Sequence, residues 1–169
     1  MLQHYQMFAA YNRWANRRVY AAAEDLTEEE LHRDTGAFFG SLFGTLSHIL
    51  AADRIWMRRF TGEGPSPRAL DERLYSTLAD LTTARKAEDE RIIHWVDGLD
   101  EAAIAARISY TALTNPTPIS HRLGAAIAHF FNHQTHHRGQ AHTALTALGK
   151  PSLVLDLVYF QRLEGQQWI

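Results

Sequence analysis

The sequence predicts an all-α domain built as a four-helix bundle, and three observations support this fold class. The chain has 169 residues, of which 46% are hydrophobic and 21% are charged, so it can bury a core of its own. Four long segments carry apolar residues at helical spacing. Segments that contain glycine or proline separate them. We therefore expect residues 1–169 to form a single domain.

The first two long helices have recognisable ends. Residues 2–24 carry an apolar stripe at helical spacing, and a short helical turn follows Thr27, which opens a capping box with the glutamates after it. Ser41 is the expected N-cap of a helix over 42–60, and Gly62 and the glycine and prolines after it are expected to end this helix.

The third helix is expected over residues 70–98, with Gly98 closing it. Residues 104–116 lack a helical pattern and predict a short extended excursion that ends in a turn at Asn115 and Pro116. This excursion precedes the last long helix.

The last helix is the longest of the four predicted helices. Thr117 or Ser120 is its expected N-cap, and it runs to about Leu148, before Gly149. The tail Leu153–Phe160 is apolar enough to pack back on the helices.

Charge and composition exclude several function classes. The formal net charge is −2, which does not favour nucleic-acid binding, and no apolar run reaches the roughly 18 residues of a membrane span. The N-terminus lacks the apolar region of a signal peptide, so we expect a cytoplasmic protein. The absence of cysteine excludes disulfides and thiolate metal sites. Five arginines are interpreted as ordinary solvated helix faces: Arg17, Arg18, Arg54, Arg58 and Arg59.

Histidine is the unusual residue of this chain, with ten copies. His129, His133 and His137 follow one another at steps of four, so they lie on one side of the last helix. His48, in the middle of the second long helix, is the candidate third ligand, and small residues surround it in the sequence. Neutral imidazoles suit Zn, Ni, Cu or Fe, and small neighbours leave room for an ion. The alternative is that the small residues only allow the helices to approach closely.

Other side chains near the three histidines of the last helix are candidates for supporting roles. His136 points away from His137 by about 100° and is expected to form hydrogen bonds beside the site. His129 is expected to support a ligand or line the pocket, and Gln140 and Asn132 to orient bound ligands. No residue is assigned as catalytic.

Ligand imidazoles usually donate their second ring N–H to an acceptor. Asp53 and Asn12 are possible acceptors, and Arg138 is a possible partner of Asp53. Three tryptophans are interpreted as core residues, with the mouth of a pocket as the alternative: Trp14, Trp56 and Trp95. The remaining histidines are interpreted as surface or edge groups: His4, His32, His94, His121 and His142.

The chain resembles the DinB-like family, whose name refers to DNA-damage-inducible proteins. Four stretches carry the resemblance: YNRWANRRV at 11–19, SLFGTLSHILAADRIWMRR at 41–59, HFFNHQTHHRGQ at 129–140 and PSLVLDLVYF at 151–160. The resemblance implies an up-down-down-up four-helix bundle, often dimeric. It also implies a divalent metal, nickel or zinc, held by His48, His133 and His137. The sequence departs from the family at TNPTP (114–118), where a glycine turn is common, so the resemblance does not extend to the substrate.

Relatives in this family include transferases and isomerases that use a low-molecular-weight thiol such as bacillithiol or mycothiol. Three histidines leave a coordination position open, and a metal lowers the pKa of a bound thiol or water. Because the chain has no cysteine, such a thiol must be a cosubstrate. We therefore expect a metal-dependent thiol S-transferase that acts on an electrophile. The alternatives are a hydrolase that uses a bound hydroxide and a non-enzymatic metal- or ligand-binding stress protein.

Overall fold

The computed structural model describes residues 1–112 and 115–169, and the side chains of residues 115 and 116 are outside the description. The elements in chain order are the helices α1 (Leu2–Glu24), α2 (Glu28–His32), α3 (Leu42–Thr61), α4 (Leu78–Asp97) and α5 (Glu101–Ala105), the strands β1 (Arg107–Ala112) and β2 (Asn115–Arg122), the helices α6 (Leu123–Ala147) and α7 (Leu157–Leu163), and a 3₁₀ turn at Gln166–Trp168. The prediction of a mostly helical chain is confirmed.

The four long helices pack in a closed ring. Helix α1 contacts α4 and α6, and α3 contacts the same two helices. Large apolar side chains from this ring are completely buried, among them Phe43, Leu81, Ile127 and Leu145. The core therefore lies between the four helices, and residues 42–61 and 123–147 form one of its seams.

The predicted starts of the first helices are confirmed. The Ser41 hydroxyl accepts a hydrogen bond from the Gly44 amide at 3.1 Å, which caps α3. Gly62 ends α3 with a φ of +76°, a left-handed conformation that glycine adopts without a Cβ clash. Thr27 and Glu30 form the expected reciprocal capping box at α2.

The third long helix begins later than predicted. It starts at Leu78 rather than at residue 70, and Thr77 caps it: the Thr77 hydroxyl accepts from the Asp80 amide and donates to the Asp80 carboxylate. Leu74 lies outside the helix but still packs on the core. Residues 62–77 are consequently an irregular segment, and it runs back along α3, where Leu70 contacts His48 and Arg73 lies over Phe43.

The predicted start of the last helix is also wrong. Thr117 and Ser120 lie in β2, and α6 begins at Leu123 with no side-chain cap. The Leu123 amide instead donates to the Ala106 carbonyl oxygen at 2.8 Å. Because β2 runs directly into the helix, the residue before β1 satisfies one of the free N–H groups at the start of α6.

The extended excursion is a two-stranded antiparallel hairpin, β1 with β2, and it reaches further than residues 104–116. Ile104 belongs to α5, whereas Arg122 still pairs with Arg107. The turn predicted at Asn115 and Pro116 is wrong, because both lie in β2. The residues that join the strands, 113–114, and with them the start of the TNPTP stretch, lie outside the described residues.

The C-terminal tail packs on α1, as predicted. The Tyr11 hydroxyl donates to the Leu155 carbonyl oxygen at 2.7 Å, and Phe160 is buried against Tyr11 and Trp14. Among the helices that the described residues form, none has an apolar stretch long enough for a bilayer crossing.

Candidate metal centre

Three imidazoles from two helices meet at the seam between α3 and α6. His48 comes from the middle of α3, and His133 and His137 come from successive turns of α6. The ring centroids are 5.2 Å apart for His48 and His133 and 4.4 Å apart for each of the other two pairs. One nitrogen from each ring lies within 4.8 Å of the other two. The predicted convergence of these three side chains is therefore present in the structure.

Hydrogen bonds on the far side of two rings decide which nitrogen faces the cluster. His48 Nδ1 lies 2.7 Å from the Leu70 carbonyl oxygen, which only accepts, so this nitrogen carries the proton. His137 Nδ1 lies 2.7 Å from the amide oxygen of Gln140, with the same consequence. In both rings the Nε2 lone pair is therefore free for a ligand, as in metal-bound histidines supported by a second acceptor.

Burial keeps these rings neutral. Desolvation is the largest cause that lowers the pKa of His48 to about 4 and that of His133 to about 3, and the neighbouring histidines add to both effects. Desolvation also lowers the pKa of His137, against the raising effect of its bond to Gln140. Neutral imidazole is the form that binds metals, so the three rings are ready as ligands at neutral pH.

Two irregular segments cover the cluster, and sequence reasoning missed both. Phe39 stacks on the His48 ring at 3.8 Å between centroids and 17° between planes, and its edge faces His137. Leu70 supplies the carbonyl that orients His48. Two adjacent phenylalanines between Gly36 and Gly40 were the available signal for the first contact. A backbone oxygen leaves no signal in the sequence, so the second could not be found.

A cavity of about 200 Å³ adjoins His133. Helix α3, helix α6, strand β1 and the segment before α4 each contribute to its wall, which is formed by Ala52, Ile55, Trp56, Arg59, Leu70, Tyr110, Ala112, His129 and His133. A second cleft of about 440 Å³ lies on the other side of Leu70 and includes Phe39, Ser47 and Asp71. Small molecules in the first of these spaces would therefore reach the cluster at His133.

The candidate supporting residues on α6 divide into two groups. His129 lines the cavity with its ring 5.9 Å from His133, and Gln140 orients His137 as described above. The His136 ring is exposed, 4.7 Å from His137, with its Nε2 3.4 Å from the Gln140 amide nitrogen. Asn132 is exposed, and no hydrogen bond from it to the three rings is present among the described residues.

Asp53 and Asn12 belong to a different site, a buried polar network between α1, α3, α4 and α6. Arg85 forms ion pairs with Asp53 and with Asp89, the latter at 3.0 Å. Asn12 donates to Asp89 at 3.3 Å. Arg138 donates to Asn12, so the expected pairing of Arg138 with Asp53 is wrong. Arg85 takes the Asp53 carboxylate instead, because α4 brings a fully buried guanidinium to it.

The three tryptophans interpreted as core residues differ in their surroundings. Trp14 is buried beside Phe160, and Trp95 stacks on Phe60 with centroids 4.7 Å apart. Trp56 lines the cavity and faces His129 at 5.1 Å. Core packing therefore describes all three, with Trp95 only partly buried, and Trp56 lines the cavity as well.

Among the histidines interpreted as surface groups, His142 is an exception. Its Nε2 accepts from the Leu153 amide at 2.9 Å and lies 3.1 Å from the Ser152 hydroxyl. It thus ties the C-terminal tail to α6. His121 is half-buried and faces Tyr110 on the hairpin.

Comparison with known proteins decides the family. The model of the DinB family matches residues 1–168. The chain belongs to the DinB family. Protein DinB of Bacillus subtilis (strain 168) is 27% identical to it over 154 residues, which cover 86% of this chain and 87% of that protein. The resemblance identified from the four sequence motifs is confirmed.

In this DinB-family protein the residues present fit a divalent metal ion. His48 is only 3% exposed, and its Nε2 is buried with no hydrogen-bond partner among the described residues. An unpaired buried nitrogen costs free energy unless a ligand satisfies it. Three neutral nitrogen donors without cysteine are a typical ligand set for zinc or nickel.

Proposed function

We propose that this protein is a metal-dependent S-transferase. In this proposal His48, His133 and His137 hold a divalent zinc or nickel ion, and a low-molecular-weight thiol attacks an electrophile in the adjoining cavity. The observation that carries the proposal is the buried, unpartnered Nε2 of His48, which lies with the His133 and His137 nitrogens in a group spanning no more than 4.8 Å.

A divalent ion held by His48, His133 and His137 would lower the pKa of a bound thiol from about 8.5 and so would supply a thiolate nucleophile at neutral pH. Other residues of the chain orient the histidine rings and shield them from solvent. Leu70 and Gln140 hold the two ring tautomers, and Phe39 covers the face of His48. The chain contains no cysteine, so the sulfur nucleophile has to be a cosubstrate.

The distribution of carboxylates favours transfer over hydrolysis. Hydrolases commonly place a general base near the attacking water, even where a metal binds that water. Among the described residues, no carboxylate forms a hydrogen bond to the three rings, and Asp53 and Asp89 are engaged by Arg85. Asp71 contributes a raising effect on the pKa of His48 and lines the second cleft. A thiol already has a pKa near 8.5, and a metal lowers it further, so its deprotonation depends less on a nearby base.

The helix contacts support the finer topology of this proposal. An up-down-down-up bundle places α1 beside α4 and α6, and α3 beside the same pair, as the packing here has them. This arrangement lets α3 and α6 face each other along the seam that holds the three histidines.

The proposal is tested with protein purified without a histidine tag. Metal content is measured by elemental analysis, and conjugation of monochlorobimane is followed with and without added thiol, in metal-free and metal-loaded protein. We expect conjugation above the uncatalysed rate only when both thiol and metal are present, and its loss in His133→Ala. His136→Ala is the matched control and keeps activity.

Other outcomes contradict the transferase. Ester hydrolysis without thiol, at a rate that depends on His133, identifies the bound-hydroxide alternative. A metal-loaded protein that binds small ligands and releases them unchanged identifies the non-enzymatic alternative. Substoichiometric metal in the wild-type protein after incubation with zinc and nickel contradicts the metal site itself.

A further inference from the structure

Arg59 stands at the end of the cavity away from the three histidines. Its guanidinium carbon lies 4.6 Å from the Trp56 ring and 4.4 Å from the Tyr110 ring, between α3 and β1. The side chain is half-buried and lines the cavity. The interpretation of this residue as an ordinary solvated arginine is therefore wrong, because the hairpin folds over it.

In the part of the chain that the structure describes, the Arg59 guanidinium has no anionic partner. Among the described residues it forms neither a hydrogen bond nor an ion pair, and burial lowers its pKa. Its neighbours on α3 differ: Arg54 donates to the Tyr75 hydroxyl and Arg58 donates to the Gly64 carbonyl oxygen. A guanidinium has five N–H donors, so Arg59 presents unused donors inside a partly desolvated cavity.

Arg59 and His133 line the same cavity at separate places. Aromatic rings connect them in short steps: His133 to His129 at 5.9 Å, His129 to Trp56 at 5.1 Å, and Trp56 to Arg59 at 4.6 Å. Apolar side chains of Ala52, Ile55 and Leu70 line the same space. The cavity thus has an imidazole end, an apolar middle and a cationic end.

We propose that Arg59 binds a carboxylate group of the thiol cosubstrate while the sulfur lies at the histidine end. This inference rests on the proposed function for the identity of the sulfur end. Guanidinium pairs with carboxylate through two parallel hydrogen bonds, which explains why an unpaired, ring-held arginine suits this position. The ligand class is an elongated thiol acid with an apolar centre, and a neutral thiol of the same length lacks one of the two anchors.

The test uses ω-mercaptocarboxylic acids of increasing chain length, each compared with the ω-mercaptoalcohol of equal length. Affinities for the zinc-loaded full chain are measured by calorimetry. We expect the acids to bind about 10-fold more tightly than the alcohols once the chain spans the cavity, and shorter pairs to show little difference. Arg59→Gln removes this preference, and Arg59→Lys retains part of it.

The matched control is Arg18→Gln. Arg18 also lies over a tryptophan, at 5.0 Å from the Trp14 ring, but does not line the cavity. This variant keeps the preference for acids. If Arg59 only ties the hairpin to α3, the wild-type protein binds acids and alcohols equally, and Arg59→Gln lowers the melting temperature without changing their ratio. That result overturns the proposal.

Sulfur-free carboxylic acids and alcohols of the same lengths separate the two proposals. If thiols bind no better than their sulfur-free counterparts, the thiol function fails. An Arg59-dependent preference for sulfur-free acids then still supports the carboxylate site. If thiols bind better than sulfur-free compounds but acids and alcohols are equivalent, the carboxylate site fails and the thiol function stands.

Discussion

The Nδ1 atom of His48 lies 2.7 Å from the carbonyl oxygen of Leu70, a residue 22 positions further along the chain. This contact joins the centre of a long helix to the irregular segment before the next one. It sets the tautomer of His48 and leaves the opposite nitrogen facing His133 and His137. The geometry of the candidate metal centre therefore depends on a backbone atom outside the helices.

Removal of any one of the three histidines is expected to abolish stoichiometric metal binding. His48→Ala, His133→Ala and His137→Ala each leave two imidazoles, too few to hold a divalent ion tightly. The helical content and the melting temperature of each metal-free variant should remain close to those of the metal-free wild type. A chain of 169 residues can bury a core that needs no metal to fold. Elemental analysis and circular dichroism measure the two effects.

His136→Ala provides the control for these three variants. The His136 ring is next to the cluster, 4.7 Å from His137, yet it is exposed. Metal binding should survive this change. Loss of metal in His136→Ala together with retention in His137→Ala contradicts the assigned ligands.

Gln140→Leu should weaken metal binding without abolishing it. The Gln140 amide oxygen accepts from His137 Nδ1 at 2.7 Å, and loss of such an acceptor typically lowers metal affinity about 10- to 100-fold. Competition with a chelator measures the dissociation constant. Asn132→Ala, an exposed change on the same helix, should leave the constant unchanged. An equal effect of both variants would show that Gln140 has no orienting role.

The metal-free protein should lose stability as the pH falls below about 6.5. Burial lowers the pKa of His48 to about 4 and of His133 to about 3, from 6.5 for an ordinary histidine. The unfolded chain binds more protons in this window, so the free energy of unfolding decreases as the pH is lowered toward 4. Above pH 7 both states are neutral at these sites, and the effect disappears.

Urea denaturation across this pH range, on wild type and on His133→Gln, isolates the contribution of one ring. The variant lacks the titrating group and should lose less stability between neutral pH and pH 4. His4→Gln, an exposed change on α1, should follow the wild type. Identical pH slopes for wild type and His133→Gln contradict a buried neutral His133.

Arg85→Met should destabilise the protein by about 3–5 kcal/mol, because it leaves the buried carboxylates of Asp53 and Asp89 without their ion-pair partner. Urea denaturation measures the change. Lys86→Met removes the neighbouring exposed cation on α4 and should have little effect. Adding Asp53→Asn to Arg85→Met should recover part of the loss, since it removes one of the uncompensated charges.

Local sequence patterns were sufficient for much of the helical structure. The apolar stripe of residues 2–24 and the caps at Thr27 and Ser41 predicted the first helices because these signals depend on residues within one turn. The start of α4 was misplaced because its apolar stripe was extended back over residues that precede the Thr77 cap. The start of α6 was misplaced because a hairpin, rather than a side-chain cap, provides it.

In the candidate site, too, local sequence predicted some features and missed those that depend on tertiary contacts. The i, i+4 spacing of His133 and His137 placed both rings on one side of a helix, and the small residues around His48 made it the candidate third ligand, as the resemblance also implied. The roles expected for Asp53 and Arg138 failed to predict their partners, since the choice between several buried charges depends on how four helices pack. Arg59 was read as solvated because nothing in its own helix indicates that Tyr110 covers it.

The sequence by itself therefore determined the helical class, the family and the two candidate ligands on α6, since each depends on residues that are close together along the chain. Only the tertiary structure decided which nitrogen of His48 faces the cluster, that Phe39 covers it and that Arg59 lies in the same cavity. These features arise between segments distant in sequence, where the packing of irregular backbone, rather than local periodicity, sets which atoms meet.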